Sequence, residues 1–290
     1  MAYASDRAGE GNLDIWLQQT TGGAAIRLTS DPANDREPDV SPDGALVAFR
    51  SDRTPRGIYV MPALGGDARF IAPDGMVPRF SPDGRSIAFW TGNWLAPRGL
   101  VQPRRVFVIA AAGGDPRHIA ADLAGAGDPI WSPDGRALLV FGRRANAAGH
   151  METDWWWVPL DDGAIAQTSA YEHLRAQGLE IENTDMQPYP SVWTASGVLF
   201  SAVRAGGGPN LNLETAGIWR IAIDAATGRV AGNPVQLTAG TTADRWPTAS
   251  RDGRLVFAAT TARLALLPYR STQTPAALPA RCAPSGRTPQ

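Results

Sequence analysis

The groups best placed to do chemistry in this 290-residue sequence are carboxylates and arginines within three residues of a proline. Arg36-Glu37-Pro38-Asp39, Pro78-Arg79, Asp128-Pro129 and Asp244-Arg245-Trp246-Pro247 each lie just before a Ser-Pro-Asp-Gly tetrapeptide or its degenerate copy. Aligned on the proline, Glu37, Val77, Asp128, Tyr189 and Trp246 fall at one level, and Asp39, Arg79, Ile130, Ser191 and Thr248 at the next. Two acids at the first level are thin support for a Ca²⁺ site, which wants about six oxygen ligands converging from several segments. Mixed charge from Arg36, Glu37, Asp39, Arg79, Asp128, Asp244 and Arg245 makes a better case for a polar mouth. Such a mouth would take a peptide terminus or a charged side chain. The competing reading is that these acids and arginines pair with each other and merely satisfy buried strands.

The other reactive side chains give less. His118, His150 and His173 show no His-x-x-x-His or comparable metal spacing. A single cysteine, Cys282, leaves no intramolecular disulfide and no Cys-based metal site. There is no Gly-x-Ser-x-Gly elbow, Walker loop or kinase catalytic loop. We therefore assign no catalytic residue, metal or cofactor from the sequence, and expect a non-enzyme. Twenty-seven basic residues, all arginine and scattered, balance twenty-eight acidic ones for a net charge of -1, which argues against a nucleic-acid partner. No run of about 18 apolar residues predicts a membrane span, and Met1 to Arg7 does not read as a signal peptide.

What must position the charged groups is a repeat. Ser-Pro-Asp-Gly occurs at Ser41–Gly44, Ser81–Gly84 and Ser132–Gly135, and degenerates at Thr194–Gly197 and Ser250–Gly253. Apolar β-rich runs follow the copies, as in Leu46–Phe49, Ile87–Trp90, Leu138–Phe141 and Leu255–Phe257. The tetrapeptide thus reads as a hairpin turn in which proline presets φ, aspartate bonds nearby backbone and glycine takes a positive φ. A second hairpin follows, through Gly65-Gly66-Asp67 and Gly113-Gly114-Asp115 in the clearest copies. Four hairpin-linked strands per unit predict an all-β, six-bladed β-propeller of four-stranded antiparallel blades with incomplete terminal blades.

The propeller is expected over residues 1–271. Ala2–Arg7 matches Ala48–Arg53, so the first blade begins at its second strand. Leu255–Ala259 and Leu264–Pro268 read as second and third strands of the last. These ragged ends favour a segment of a larger protein over a ring closed by two three-stranded blades. Residues 272–290, rich in Pro, Ala, Ser and Thr, are expected to form a disordered tail or linker. Insertions at Thr91–Arg104, carrying Trp94, and at Gly142–Asp154, Ala170–Gln187 and Arg204–Gly217 should gather on the faces of the disc. Tyr171–Gln177 is expected to add a helical turn.

The repeated tetrapeptide, apolar strand and Gly-Gly-Asp turn resemble the WD40-like repeats of the bacterial TolB family. That resemblance implies a six-bladed propeller, a periplasmic setting and binding to a protein or peptide partner. TolB itself has an α/β domain before its propeller, and none is expected within residues 1–271. Similar repeats occur in sensor modules of bacterial kinases and winged-helix regulators, and in prolyl-oligopeptidase-type propellers. An accessory propeller of such a hydrolase is the alternative reading, and a lactonase-like propeller enzyme a third.

Overall fold

A computed structural model describes residues 1–93, 102–161, 163–179, 187–204, 216–239, 243–250 and 253–260. Successive antiparallel strands make one small sheet per repeat. The first sheet contains β1 (Ala2–Ser5), β2 (Asp14–Leu17) and β3 (Ile26–Arg27). The second contains β4 (Asp35–Val40), β5 (Leu46–Ser51), β6 (Gly57–Pro62) and β7 (Arg69–Pro73). The third is built from β8 (Met76–Phe80), β9 (Ser86–Asn93), β10 (Gln102–Ala110) and β11 (Arg117–Ile119). β12 (Gly125–Trp131), β13 (Ala137–Ala145), β14 (Met151–Pro159) and β15 (Ala166–Gln167) form the fourth. After helix α1 (Ala170–Ala176) come β16 (Pro190–Thr194), β17 (Gly197–Ala202), β18 (Gly217–Ile221) and β19 (Val235–Gln236), then the pair β20 (Ala243–Ala249) and β21 (Leu255–Thr260). The described residues thus build five blades of three or four strands and one two-stranded hairpin, where six blades with incomplete terminal ones were expected. Leu264–Pro268, the 272–290 tail, Trp94 and Cys282 lie outside the described residues.

The tetrapeptides turn as their chemistry dictates. Ser81 Oγ donates to Asp83 Oδ1 at 2.6 Å, and accepts from Ser86 N at 2.9 Å, while Asp83 Oδ1 accepts from Arg85 N at 3.0 Å. Ser41 with Asp43 and Ser132 with Asp134 repeat the arrangement. Gly44, Gly84 and Gly135 close the turns at φ of 72–75°.

The residue before each inner-strand proline behaves less predictably. Glu37, Val77, Asp128 and Trp246 all adopt φ of 50–56°, a region costly for β-branched valine. Each lies at a shift of register between an inner strand and its neighbour, between Arg36 and Asp39, Met76 and Arg79, Gly127 and Ile130, and Arg245 and Thr248. The proline cannot donate to the ladder, so the strand bulges there and re-aims the side chains on either side. β16 is shifted as well, between Pro190 and Val192, without a positive φ at Tyr189.

Apolar faces of successive blades pack against each other. Ala48, Ile58, Val60, Ile87 and Phe89 fill the space between the second and third blades, and Leu138, Val140, Trp90 and Trp156 that between the third and fourth. Trp131 and Trp156 pack between the third and fourth blades, while Trp155 and Trp219 join α1 and the fifth blade in the largest cluster. The insertion at Gly142–Asp154 is mostly paired strand, since β13 runs on to Ala145 and β14 back from Met151 around a tight Asn146–His150 turn. The expected helical turn is α1, whose first turn is tied down by Asp154 Oδ1 accepting from Tyr171 N at 3.1 Å.

Candidate binding site at the inner strands

Four of the seven predicted residues are brought together, and they act across blade boundaries. Glu37 Oε2 accepts from Val77 N at 2.7 Å, and Asp39 Oδ2 from Phe80 N at 2.7 Å. Both donors have turned away from their own ladder. Phe80 and Ile87 form a pair whose flanking residues carry the ladder bonds, as Ser81 N to Ser86 O shows. The carboxylates of β4 therefore complete the backbone of β8, and the pairing reading accounts for part of this charge.

Arg79 and Asp128 continue the network. Burial pushes the Asp39 carboxyl up, against the opposing pull of the Arg79 guanidinium and of the Phe80 N–H. Burial pushes Asp128 up too, opposed by Arg104 and Arg79, with the Glu37 charge adding to the upward shift. The residue the sequence did not single out is Arg104. Its Nη1 donates to Asp128 Oδ2 at 2.9 Å, and its guanidinium lies 4.2 Å from the Trp90 ring centroid. Arg104 reaches Asp128 because β10 is prolonged into the insertion, and no local spacing signals that.

The other three predicted residues stand apart in role. Arg36 is paired toward Asp52 at 3.8 Å, with Glu37 and Asp52 also facing Arg50 at 3.7 and 3.2 Å. Asp244 is buried on β20, its N–H donated to the Ala216 carbonyl, and Arg245 beside it is half-buried. Next along, Trp246 is 73% exposed at the bulge level that Glu37 and Asp128 occupy in other blades. Sequence alignment on the proline placed it at that level, but not as a contact residue. Among the described residues no three His, Cys, Asp or Glu side chains converge as metal ligands. His118 borders a cleft of about 370 Å³ with Arg104 and Arg105, and burial with the Arg105 charge lowers its pKa.

No family model matches the chain. Similarity to solved structures is broader. A putative TolB from Agrobacterium tumefaciens is 18% identical, with a TM-score of 0.58 over 83% of this chain and 75% of that one. TolB from Acinetobacter baumannii gives 17% and 0.56 over 87% and 55%. The fold is that of the TolB-type propellers. Kuenenia stuttgartiensis hydrazine synthase gives a TM-score of 0.62 at 16% identity, over 89% of this chain and 41% of that one. The same blade architecture therefore recurs in proteins of unrelated activity.

Sequence relatives are local. The chain is 38% identical over 79 residues to an uncharacterized peptidase, YuxL, of Bacillus subtilis, and 36% identical over 84 residues to tricorn protease homolog 1 of Streptomyces coelicolor. The matched stretches span 12% and 8% of those proteins and about a quarter of this chain. No helix among the described residues is long and apolar enough to cross a membrane.

Proposed function

We propose that the chain is a non-catalytic, TolB-like propeller module that binds a protein or peptide, as a scaffold or sensor segment of a larger periplasmic protein. Counting β20–β21 as the opening strands of a further blade gives a ring of six. The observation that carries the reading is the contrast at the bulge level. Glu37 and Asp39 are engaged with the backbone of the next blade and Asp128 with Arg104, whereas the Trp246 indole is 73% exposed. An exposed indole beside charged neighbours suits recognition, since tryptophan and arginine are enriched where partners bind.

The test is a fluorescence-anisotropy screen of short peptides with free, amidated or acetylated ends. We expect saturable binding of a subset, weakened at least tenfold by Trp246→Ala with an unchanged unfolding curve. Absence of saturable binding across the screen, or binding indifferent to Trp246→Ala, overturns the reading. The local identity to peptidases favours a second one, in which the module is the accessory propeller of a hydrolase. It would then raise the selectivity of a hydrolase domain supplied in trans without turnover of its own.

A further inference from the structure

The connection that leaves the third blade for the fourth is longer than its counterpart, and the added length opens a cleft. Phe107 faces Phe89 and His118 as Tyr59 faces Phe49 and Phe70, so Arg105 takes the place of Gly57 and Val106 that of Ile58. In the second blade this corner is closed. Asp74 N donates to Arg56 O at 3.0 Å, and a β-carbon at Gly57 would run into the Ala72 carbonyl. Pro78 follows Ile71 by seven residues, whereas Pro129 follows Ile119 by ten. The longer connection turns at Ala120, with φ of 60°, and fastens to the fourth blade, where Ala124 N donates to Arg143 O at 2.8 Å. A cleft of about 370 Å³ lies between residues 103–106 and 120–126.

The lining of this cleft is divided. Val106, Leu123 and Ala126 are buried and wholly apolar. Its exposed polar residues are Arg105 and His118. No carboxylate among the described residues pairs with Arg105, whereas the adjacent Arg104 is already committed to Asp128 at 2.9 Å. The His118 ring lies 5.2 Å from that of Phe107, and burial together with the Arg105 charge lowers its pKa. Asp122, the acid of the connection, is exposed and does not line the cleft. A cation without a counterion thus stands beside an apolar recess.

We propose that this cleft binds a carboxylate carried on a short branched apolar chain, with the carboxylate on the Arg105 guanidinium and the apolar end against Val106 and Leu123. A guanidinium offers a carboxylate two parallel donors. One or two convergent polar groups over an apolar wall, in a volume of this size, are what a small-ligand site requires. A free branched-chain acid and the last residue of a peptide share this chemistry. The site goes beyond the peptide-binding reading above and does not rest on it.

The experiment titrates the whole chain with isocaproate, with isocaproamide, and with acetyl-Gly-Leu bearing a free or an amidated C-terminus, followed by calorimetry and by NMR of the His118 imidazole. Saturable binding of at least one of the two acids is expected below about 10 mM, with both amides at least tenfold weaker. Binding of isocaproate alone marks a free acid as the ligand, and binding of the dipeptide alone marks a chain end. Arg105→Gln should weaken the acid at least tenfold with an unchanged unfolding curve, and Ala121→Trp, which fills the cleft from its exposed rim, should do the same. Saturation should also raise the His118 pKa, because the bound carboxylate offsets the Arg105 charge. Absence of saturable binding by either acid, equal binding of acid and amide, binding indifferent to Arg105→Gln, or a His118 titration that does not move each overturns the proposal.

Discussion

Glu37 and Asp39 show how little of a polar cluster need be free for ligands. Each carboxylate satisfies an N–H of the neighbouring blade at 2.7 Å, and an orphaned buried donor costs about 1–3 kcal/mol. Glu37→Ala should therefore destabilise by that amount in urea titration, while Glu37→Gln, which keeps an acceptor, should lose less than about 0.5 kcal/mol, being left with a neutral bond. Protonation has a definite sign. Asp35, Asp39, Asp128 and Asp154 are held above the ordinary carboxylate range, in each case chiefly by burial. Their charged forms oppose folding at neutral pH, and the opposition fades as pH falls through the raised folded values, disappearing below about 4. Asp83 and Asp134 lie on the other side, lowered first by the hydroxyls of Ser81 and Ser132. Their contribution is present above the ordinary carboxylate value and is lost as pH falls through the lowered folded values. The four buried aspartates should thus favour a rise in stability as pH falls through their raised folded values toward about 4, and Asp83 and Asp134 a decline below it, readable as a change of slope in urea midpoints when Asp39→Asn and Asp128→Asn are compared with the unchanged chain. Asn variants whose midpoints follow the same pH course as the unchanged chain would refute the assignment.

Hairpins were the most legible elements, because Ser-Pro-Asp-Gly encodes its own hydrogen bonds. Ser132 is fully buried, and its hydroxyl accepts from Ala137 N at 3.0 Å. Ser132→Ala should cost about 1–3 kcal/mol by leaving that donor unpaired, measured by thermal or urea unfolding. The bulges were half legible: the prolines marked the inner strands, but the positive φ of Glu37, Val77, Asp128 and Trp246 arises from pairing across the sheet. The Gly142–Asp154 stretch was read as an insertion, whereas cross-strand bonding continues two paired strands through it. Another device went unread. Thr29 Oγ1 accepts from Ile15 N at 2.9 Å and Thr238 Oγ1 from Ile218 N at 3.0 Å, while Thr168 Oγ1 donates to Trp155 O at 3.0 Å. The recurring Leu-Thr of Leu28-Thr29 and Leu237-Thr238 would have revealed it.

Across the whole molecule, order of burial predicts order of opening. β5, β9, β13 and β17 have fully buried cores, whereas β1 is half-exposed and β21 is half-buried to exposed over its described side chains. Local opening free energies follow buried apolar contact. Native-state hydrogen exchange should accordingly be slowest in the third and fourth blades and fastest in β1 and β21, and uniform protection would contradict the packing described. Between these two ends of the described chain, Arg254 Nη1 donates to Thr20 Oγ1 at 3.2 Å, an exposed contact with little power to hold a seam. TolB-type fold was readable because repetition is redundant. The charged cluster was readable in part, since Arg104 enters it through a strand extension that no repeat encodes.

The carboxylate-to-amide bonds between β4 and β8 also set a mechanical order. A pull on the two ends loads such inter-blade contacts a few at a time, while the ladders within each blade share the load among many bonds. Blades should detach and unravel one at a time. Repeats begin 40 to 62 residues apart and so release about 13–22 nm of contour each, and a force–extension trace should climb in unequal steps of that order and not fall in one rupture.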